Sequence, residues 1–492
     1  MSHAIGPFRL EHSYAEAVPE LALAWRAAPV PDPELLVLDE DLSAELGADP
    51  DELRTPDGIR LLLGQVPEEI PTYAQAYAGH QFGGWSPRLG DGRALLLGEV
   101  VDRAGVRKDL HLKGSGRTPF SRGGDGKAAV GPMLREHLMG VAMHALGIPT
   151  TRALAVVATG ETVWRQTPLP GAVLVRTAAS HLRVGTFQLV ASAGSPEVLQ
   201  RLTAYAIQRH HPQAAEADDP ALALLDAVVA AQAELVARWM QVGFVHGVMN
   251  TDNVTISGET IDYGPCAFVE SPDPATVFSS IDTGGRYAYG NQPAATLWDL
   301  ARFAETLLPL VRVRGTAGSV STTRDAQPDE AVARVTAVLE LFHERYDDAL
   351  VRGWADKLGL VEPDRELVTD ALELVRTQAV DLTTFCRRLA RDQARELFAD
   401  PGPYDAWAAR RARLVGPDPA ATAARMDAVN PAYVPRNHVV EAALEAATAG
   451  DLAPYDRLVT ALRKPFQERP GLEDLADPAP ADSAPHVTFC GT

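Results

Sequence analysis

The spacing of apolar positions along this chain changes character about a third of the way in. Between Leu89 and Arg176 apolar residues come in short, partly alternating runs. Ala94–Val101, Leu110–Lys113, Ala153–Ala158, Thr162–Trp164 and Ala172–Arg176 read as strands. One longer stretch among them, Ala128–Leu146, reads as a helix that ends at Gly147, with Pro149 just beyond. Past Arg183 the chain is mostly helical, most clearly over Ala221–Val242, Thr296–Val311, Asp329–Tyr346 and Arg365–Arg391. Before Ala78 it is irregular and Pro-rich, with room for short helices only. No segment repeats. The order predicts an α+β protein of two lobes, the first strand-rich and the second larger and helical. The boundaries drawn are an N-terminal extension over 1–78, an N-lobe over 79–180 and a C-lobe over 181–468. A tail over 469–492, acidic and rich in Pro and Ala, is expected to be flexible.

Composition narrows the class of function. A chain of 492 residues, 46% hydrophobic and 22% charged, can bury a sizeable core. Its formal charge of −20 argues against nucleic acid as the main partner, because phosphate backbones need concentrated Lys and Arg. No uninterrupted apolar run approaches the ~20 residues of a membrane span. The most apolar candidate, Ala221–Met240, carries Asp226, Glu234 and Arg238. The first residues match neither a secretory nor a transit pattern, so the expectation is a cytoplasmic protein without a membrane partner. Three cysteines, Cys266, Cys386 and Cys490, do not make a disulfide framework.

The most informative stretch runs from His246 to Gly264, HGVMNTDNVTISGETIDYG. A protein-kinase catalytic loop reads H-R-D-x-x-x-x-N, with the Asp as base and the Asn on a metal ion, followed by a D-F-G metal site. His246 and Asn253 keep that spacing, and Asp262-Tyr263-Gly264 stands for D-F-G. The base position holds Val248, which accepts no proton. Metal ligands without the phosphotransfer base predict a nucleotide site with a different chemistry. Val254–Ile256 and Thr260–Ile261 are β-branched runs, and Gly258-Glu259 suits a two-residue hairpin turn. In that register Thr255 faces Asp262. Asn253 then lies diagonally across, about 7–8 Å away, a gap that one Mg²⁺ at about 2.1 Å per ligand can bridge. His246 itself reads as a structural loop histidine.

Leu89-Gly90-Asp91-Gly92-Arg93 precedes a strand and resembles a glycine-rich loop whose N–H groups approach phosphate. Alone, a plain hairpin turn explains it equally well. Lys113 ends the next strand, where a lysine can reach phosphate oxygens, and Glu136 on the following helix can hold its ammonium. Between them, GSGRTPFSRGGDGKAAVG ends like a P-loop but fails that pattern at Ser121 and Ala128. A second glycine-rich loop at a helix N-terminus is still an anion site, and Arg176 and Arg183 bring guanidinium forks suited to phosphate.

In this order, YAGHQFGGWSPRLGDGRA, LHLKGSGRTPFSRGGDGKA, LREHLMG, VLVRTAASHLRVGTFQ, HGVMNTDN and IDYGPCAF resemble the selenoprotein O (YdiU) family of kinase-fold protein adenylyltransferases. The likeness covers about Tyr73 to Phe268, and the closing Phe489-Cys490-Gly491-Thr492 also fits. It implies a bilobal protein-kinase-like fold. It further implies ATP bound in a flipped orientation and AMP moved to Ser, Thr or Tyr hydroxyls of protein substrates. Carried over by position, Gly90, Gly92, Arg93, Lys113, Asp125, Gly126, Arg176, Arg183 and Asp262 would contact ATP. Asp252 would be the proton acceptor, and Asn253 and Asp262 would hold Mg²⁺ or Mn²⁺. Asp252 also suits that role physically, as a carboxylate beside a metal ligand within reach of an incoming hydroxyl. Many members carry selenocysteine near the C-terminus where this chain has Cys490, which suggests a redox pairing with Cys266. Two other readings stay open at this stage: a kinase using Asp252 as base, and an ATP-binding scaffold without activity.

Overall fold

The computed structural model describes residues 2–314, 320–322, 328–480 and 482–489. Three strands of the main sheet come from the stretch read as an N-terminal extension: β1 (Ala22–Ala24), β2 (Glu34–Leu38) and β3 (Tyr73–Gln75). A separate hairpin follows, β4 (Gly79–Gln81) and β5 (Gly84–Ser86). The remaining strands of the lobe are β6 (Ala94–Val101), β7 (Arg107–Lys113), β8 (Ala128–Ala129), β9 (Arg152–Trp164) and β10 (Pro168–Ala178). Eight of these form one sheet in the order β1-β3-β6-β7-β10-β9-β2, with β8 attached to β10. The two runs read as separate strands around Ala158 and Thr162 are the single strand β9, broken only by a register shift.

Period-two alternation in β7 sorts its side chains by face. Leu110 and Leu112 join Leu95, Leu97, Val173 and Val175 in the core on one side. Asp109, His111 and Lys113 point the other way and are buried too. Over that polar face lies α1 (Val130–Ala145), whose Leu134 and Leu138 pack against Val156 and Leu174. Each such side chain, fully buried, contributes ~1.5–3 kcal/mol.

The C-lobe begins with α2 (Val184–Ala193) and is centred on α3 (Pro220–Val242). Val228, Val229 and Ala233 of α3 pack on Leu300 and Phe303 of α4 (Gln292–Leu307) and on Phe342 of α5 (Pro328–Lys357). By length and composition α3 could cross a membrane, yet more than half of its apolar window is buried inside the protein. The single helix expected over Arg365–Arg391 is two, α6 (Arg365–Thr377) and α7 (Leu382–Leu389). Ala379 takes a positive φ of 50° between them, and the Asp381 carboxylate caps α7 by accepting from Thr384 N. Together the two lobes make a bilobal, kinase-like α+β fold.

The stretch 469–489 is held to the C-lobe at several points. Arg436 donates to the Ala476 carbonyl, Glu270 accepts from Ala479 N at 2.6 Å, and Thr488 N reaches the Phe278 carbonyl at 2.8 Å. Composition suggested flexibility here because these anchors all lie far away in sequence.

Candidate active site

One cleft between the lobes, of about 480 Å³, is lined by Gly90, Gly92, Arg93, Lys113, Asp125, Gly126, Arg176, Arg183, Asp252, Asn253 and Asp262. Glu136 stands directly behind Lys113. Every nucleotide, metal and proton-acceptor candidate read from the sequence therefore meets in one place. A larger cavity of about 950 Å³ lies elsewhere, among Asp39, Arg103, Arg152 and Arg463, and contains none of these residues.

The strand register explains how two cations and their counter-charges converge. Arg176 in β10 sits opposite His111 in β7, so Arg176, His111 and Lys113 share a face. Lys113 Nζ donates to Glu136 Oε2 at 2.6 Å and also pairs with Asp262. Arg176 Nη1 lies 3.1 Å from Glu136 Oε1 and 3.7 Å from Asp262 Oδ1. Glu136 thus braces two cations, a role wider than its expected one of holding Lys113. Burial opposes ionisation of Asp262, but Lys113 and Arg176 outweigh it and hold that carboxyl far below the usual carboxylate range. Its side chain keeps an edge open to the cleft, at 37% exposure.

His111 ties this face to the glycine-rich loop. Its Nε2 lies 3.1 Å from Asp91 Oδ2, and Arg176 Nε lies 3.4 Å from its Nδ1. Burial pushes the His111 imidazole below its ordinary value, as it does for His181, which stacks on it at 4.1 Å. Both rings are neutral near pH 7. Gly90 takes φ +111°, and a Cβ there would stand 2.5 Å from the Phe120 ring. Gly126 takes φ +72° and lets the second loop approach the Gly116 backbone, where a Cβ would be 2.2 Å away. Asp125 is committed locally, to Arg165 at 2.8 Å and to Lys127 N at 2.9 Å.

The expected hairpin between Asn253 and Asp262 has a different register. Val254 bridges Thr260, and Arg183 bridges Thr255. Thr255 Oγ1 donates to the Glu259 carbonyl at 2.7 Å and accepts from Glu259 N at 2.9 Å, so Thr255 faces Glu259 instead of Asp262. Closure by a threonine hydroxyl replaces the two-residue turn. Asp262 leaves the pairing with a positive φ of 65°, a conformation that costs of order 1–3 kcal/mol and that its ion pairs offset. Asn253 and Asp262 still line the same cleft. Asn253 Nδ2 is tied to the Val248 carbonyl at 2.9 Å, so its amide oxygen is the end that could meet a cation. His246 is buried and bonded through Nε2 to the Ile261 carbonyl at 2.8 Å, as a structural histidine should be.

Asp252 differs from Asp262 in every respect. Burial raises its pKa to about 6, against the lowering influence of Arg183. Oδ2 accepts from Gln81 Nε2 at 3.3 Å, whereas Oδ1 has no partner among the described residues. Arg183 Nη2 has none either, although its Nη1 donates to the Asp252 carbonyl at 3.3 Å and its guanidinium lies 4.2 Å from the Tyr77 ring centroid. A buried carboxylate oxygen and a buried guanidinium nitrogen left bare in one cleft fit an incoming polar ligand with anionic and donor groups. Tyr77, Gln81 and Asn250 line the site as well and were not singled out from the sequence. The motif containing Gln81 was visible there, but nothing local says that it reaches a loop some 170 residues away.

Cys266 is fully buried, and burial pushes its thiol up to about 12. Thr488 Oγ1 donates to the neighbouring Pro265 carbonyl at 2.7 Å, which places Thr488 against the segment that carries Cys266. Cys490 lies outside the described residues.

Comparison with known proteins agrees with this geometry. A family model described as protein adenylyltransferase SelO matches residues 8–463. A protein from Mycolicibacterium smegmatis named protein nucleotidyltransferase YdiU is 59% identical over 98% of each chain. Proteins of the same name from Mycolicibacterium paratuberculosis and Cereibacter sphaeroides (strain KD131) are 55% and 56% identical, over at least 98% of each chain. Fold, cleft and relatives together define an enzyme of the nucleotidyltransferase class. Within it, the chain belongs to the SelO family of protein adenylyltransferases.

Proposed function

We propose that this enzyme transfers AMP from ATP to Ser, Thr or Tyr hydroxyls of protein substrates in the cytoplasm. The acceptor oxygen forms a bond to the α-phosphorus, the α–β anhydride bond breaks, and pyrophosphate leaves. Asp252 takes the hydroxyl proton. One observation carries the reading: Val248 occupies the kinase-base position, while Asp252 lines the same cleft with a bare Oδ1 and a pKa of about 6. Lys113, Arg176 and Arg183, with Arg93 and the two glycine loops, bind the triphosphate. Asn253 and Asp262 would hold Mg²⁺ or Mn²⁺, which supplies positive charge against the phosphates. The bond from Thr488 to the Pro265 carbonyl, next to Cys266 in sequence, supports a second element, a disulfide from Cys266 to Cys490 formed under a two-electron oxidant such as peroxide.

The test is incubation with ATP labelled at either the α- or the γ-phosphate. Acceptor proteins labelled from the α-position alone support adenylylation. Label from γ alone makes the enzyme a kinase, and label from neither makes it a scaffold.

A further inference from the structure

The β4–β5 hairpin grips the loop that carries Asp252 through three consecutive residues. His80 N donates to Thr251 Oγ1 at 2.7 Å, and Thr251 N returns a bond to the His80 carbonyl at 3.2 Å. Phe82 N donates to Asn250 Oδ1 at 3.0 Å. Between them, Gln81 Nε2 donates to Asp252 Oδ2 at 3.3 Å. Further bonds close the grip. Thr251 Oγ1 donates to Gln188 Oε1 at 2.6 Å, and Gln188 Nε2 lies 2.8 Å from His80 Nδ1. Tyr287 OH donates to the same Asn250 oxygen at 2.8 Å.

We infer that Gln81 is the positioning residue that orients the Asp252 carboxylate for transfer. The inference rests on the reading of Asp252 as proton acceptor. The Asp252 backbone is already fixed, since its carbonyl accepts from Arg183 Nη1 at 3.3 Å. What remains free is rotation of the carboxylate, and Gln81 is the side chain that engages it. With Oδ2 held by the amide, Oδ1 is the oxygen left for the acceptor hydroxyl. A neutral amide makes this contact without adding a cation to a cleft that already carries Arg93, Lys113, Arg176 and Arg183. Holding a reacting group in one orientation is a recognised source of rate, and it acts on turnover more than on nucleotide affinity.

The other hairpin bonds involve the backbone of His80 and Phe82 and the His80 ring, so they survive truncation of Gln81 and the fold is retained. The full-length enzyme is assayed with α-labelled ATP and acceptor proteins from a clarified bacterial lysate, with wild-type incorporation as the reference. Gln81→Ala is expected to lower the rate at saturating ATP about tenfold, the scale of one hydrogen bond to a charged group, with the KM for ATP unchanged. Gln81→Glu keeps the size but loses the donor, and is expected to be at least as slow. The double variant Gln81→Ala, Asp252→Ala should be no slower than Asp252→Ala alone, because Gln81 acts through that carboxylate. Multiplying effects in the double variant, a raised KM with an unchanged rate, or a fully active Gln81→Glu would each overturn the inference. A fully active Asp252→Ala would instead remove the proton-acceptor reading beneath it.

Discussion

Two ends of the cleft are built on opposite principles. At one end Lys113, Glu136, Arg176 and Asp262 satisfy one another, with two carboxylates between two cations. At the other, Asp252 Oδ1 and Arg183 Nη2 are buried without partners among the described residues. The first arrangement is a finished structure that places charge before any ligand arrives. The second leaves polar atoms bare for something that comes and goes. A closed ion-pair network should therefore register in stability as well as activity, whereas bare groups should register in activity alone.

The largest effect is expected from Asp262→Ala, which removes a counter-charge from Lys113 and Arg176 together with an oxygen proposed to hold the metal. Transfer should fall to less than about a thousandth of wild type, and loss of the metal to a chelator should have the same consequence in the unaltered enzyme. An Asp262→Ala preparation that still labels protein from α-labelled ATP would break the assignment. Next, Asp252→Ala should slow transfer by ~10²–10⁴-fold while leaving ATP affinity intact. Its melting temperature should fall little, because one of the two oxygens removed has no partner among the described residues and the other accepts only the 3.3 Å bond from Gln81. A marked loss of stability would show that Asp252 belongs with the structural end.

Lys113→Met should cost about a hundredfold in rate yet retain the fold, since Glu136 keeps Arg176 as its partner. Glu136→Gln should be the more destabilising of the two, as it leaves two buried cations short of charge. Denaturant unfolding of the pair, read beside activity, checks the order.

His137 extends the comparison beyond the cleft. Its Nδ1 lies 2.7 Å from Tyr455 OH, its Nε2 has no partner among the described residues, and burial lowers its pKa to about 4. The unfolded imidazole, near 6.5, binds a proton more readily than the folded one. Stability is therefore full above pH 6.5 and declines as pH falls from there towards 4. At pH 5 this one residue should have cost about 2 kcal/mol relative to neutral pH. A flatter pH profile of unfolding free energy for His137→Asn is the check. The smallest expected effect is redox. Peroxide should join Cys266 to Cys490 and alter activity, and Cys490→Ser should not respond. The raised thiol pKa makes that reaction slow at Cys266. Peptide mapping that finds both thiols free after oxidation would remove the pairing.

What could be seen in the sequence tracks the range of the interactions involved. Lys113, Arg176 and their strands were legible because period-two alternation is local. Asn253 and Asp262 were legible from motif spacing. The loop joining them was misjudged, because the Thr255 hydroxyl closes it in a way that strand propensity does not encode. The three strands that the first 78 residues give to the main sheet were missed. β1 and β3 have three residues each and β2 five, too short for a periodic pattern, and only their sheet neighbours define them. Gln81 escaped for the same reason, since its partner is reached only through the fold.

Those early strands have a further consequence. In the order β1-β3-β6-β7-β10-β9-β2, both outermost strands are supplied by residues 22–38. The segment that looked like a preamble is the border of the sheet on both sides. A version of the protein trimmed to begin at β3 would present β3 at one margin and the thirteen-residue β9 at the other, with backbone donors and acceptors unpaired. Exposed strand margins recruit one another. Such a trimmed protein would be prone to self-association through its sheet even with every cleft residue in place.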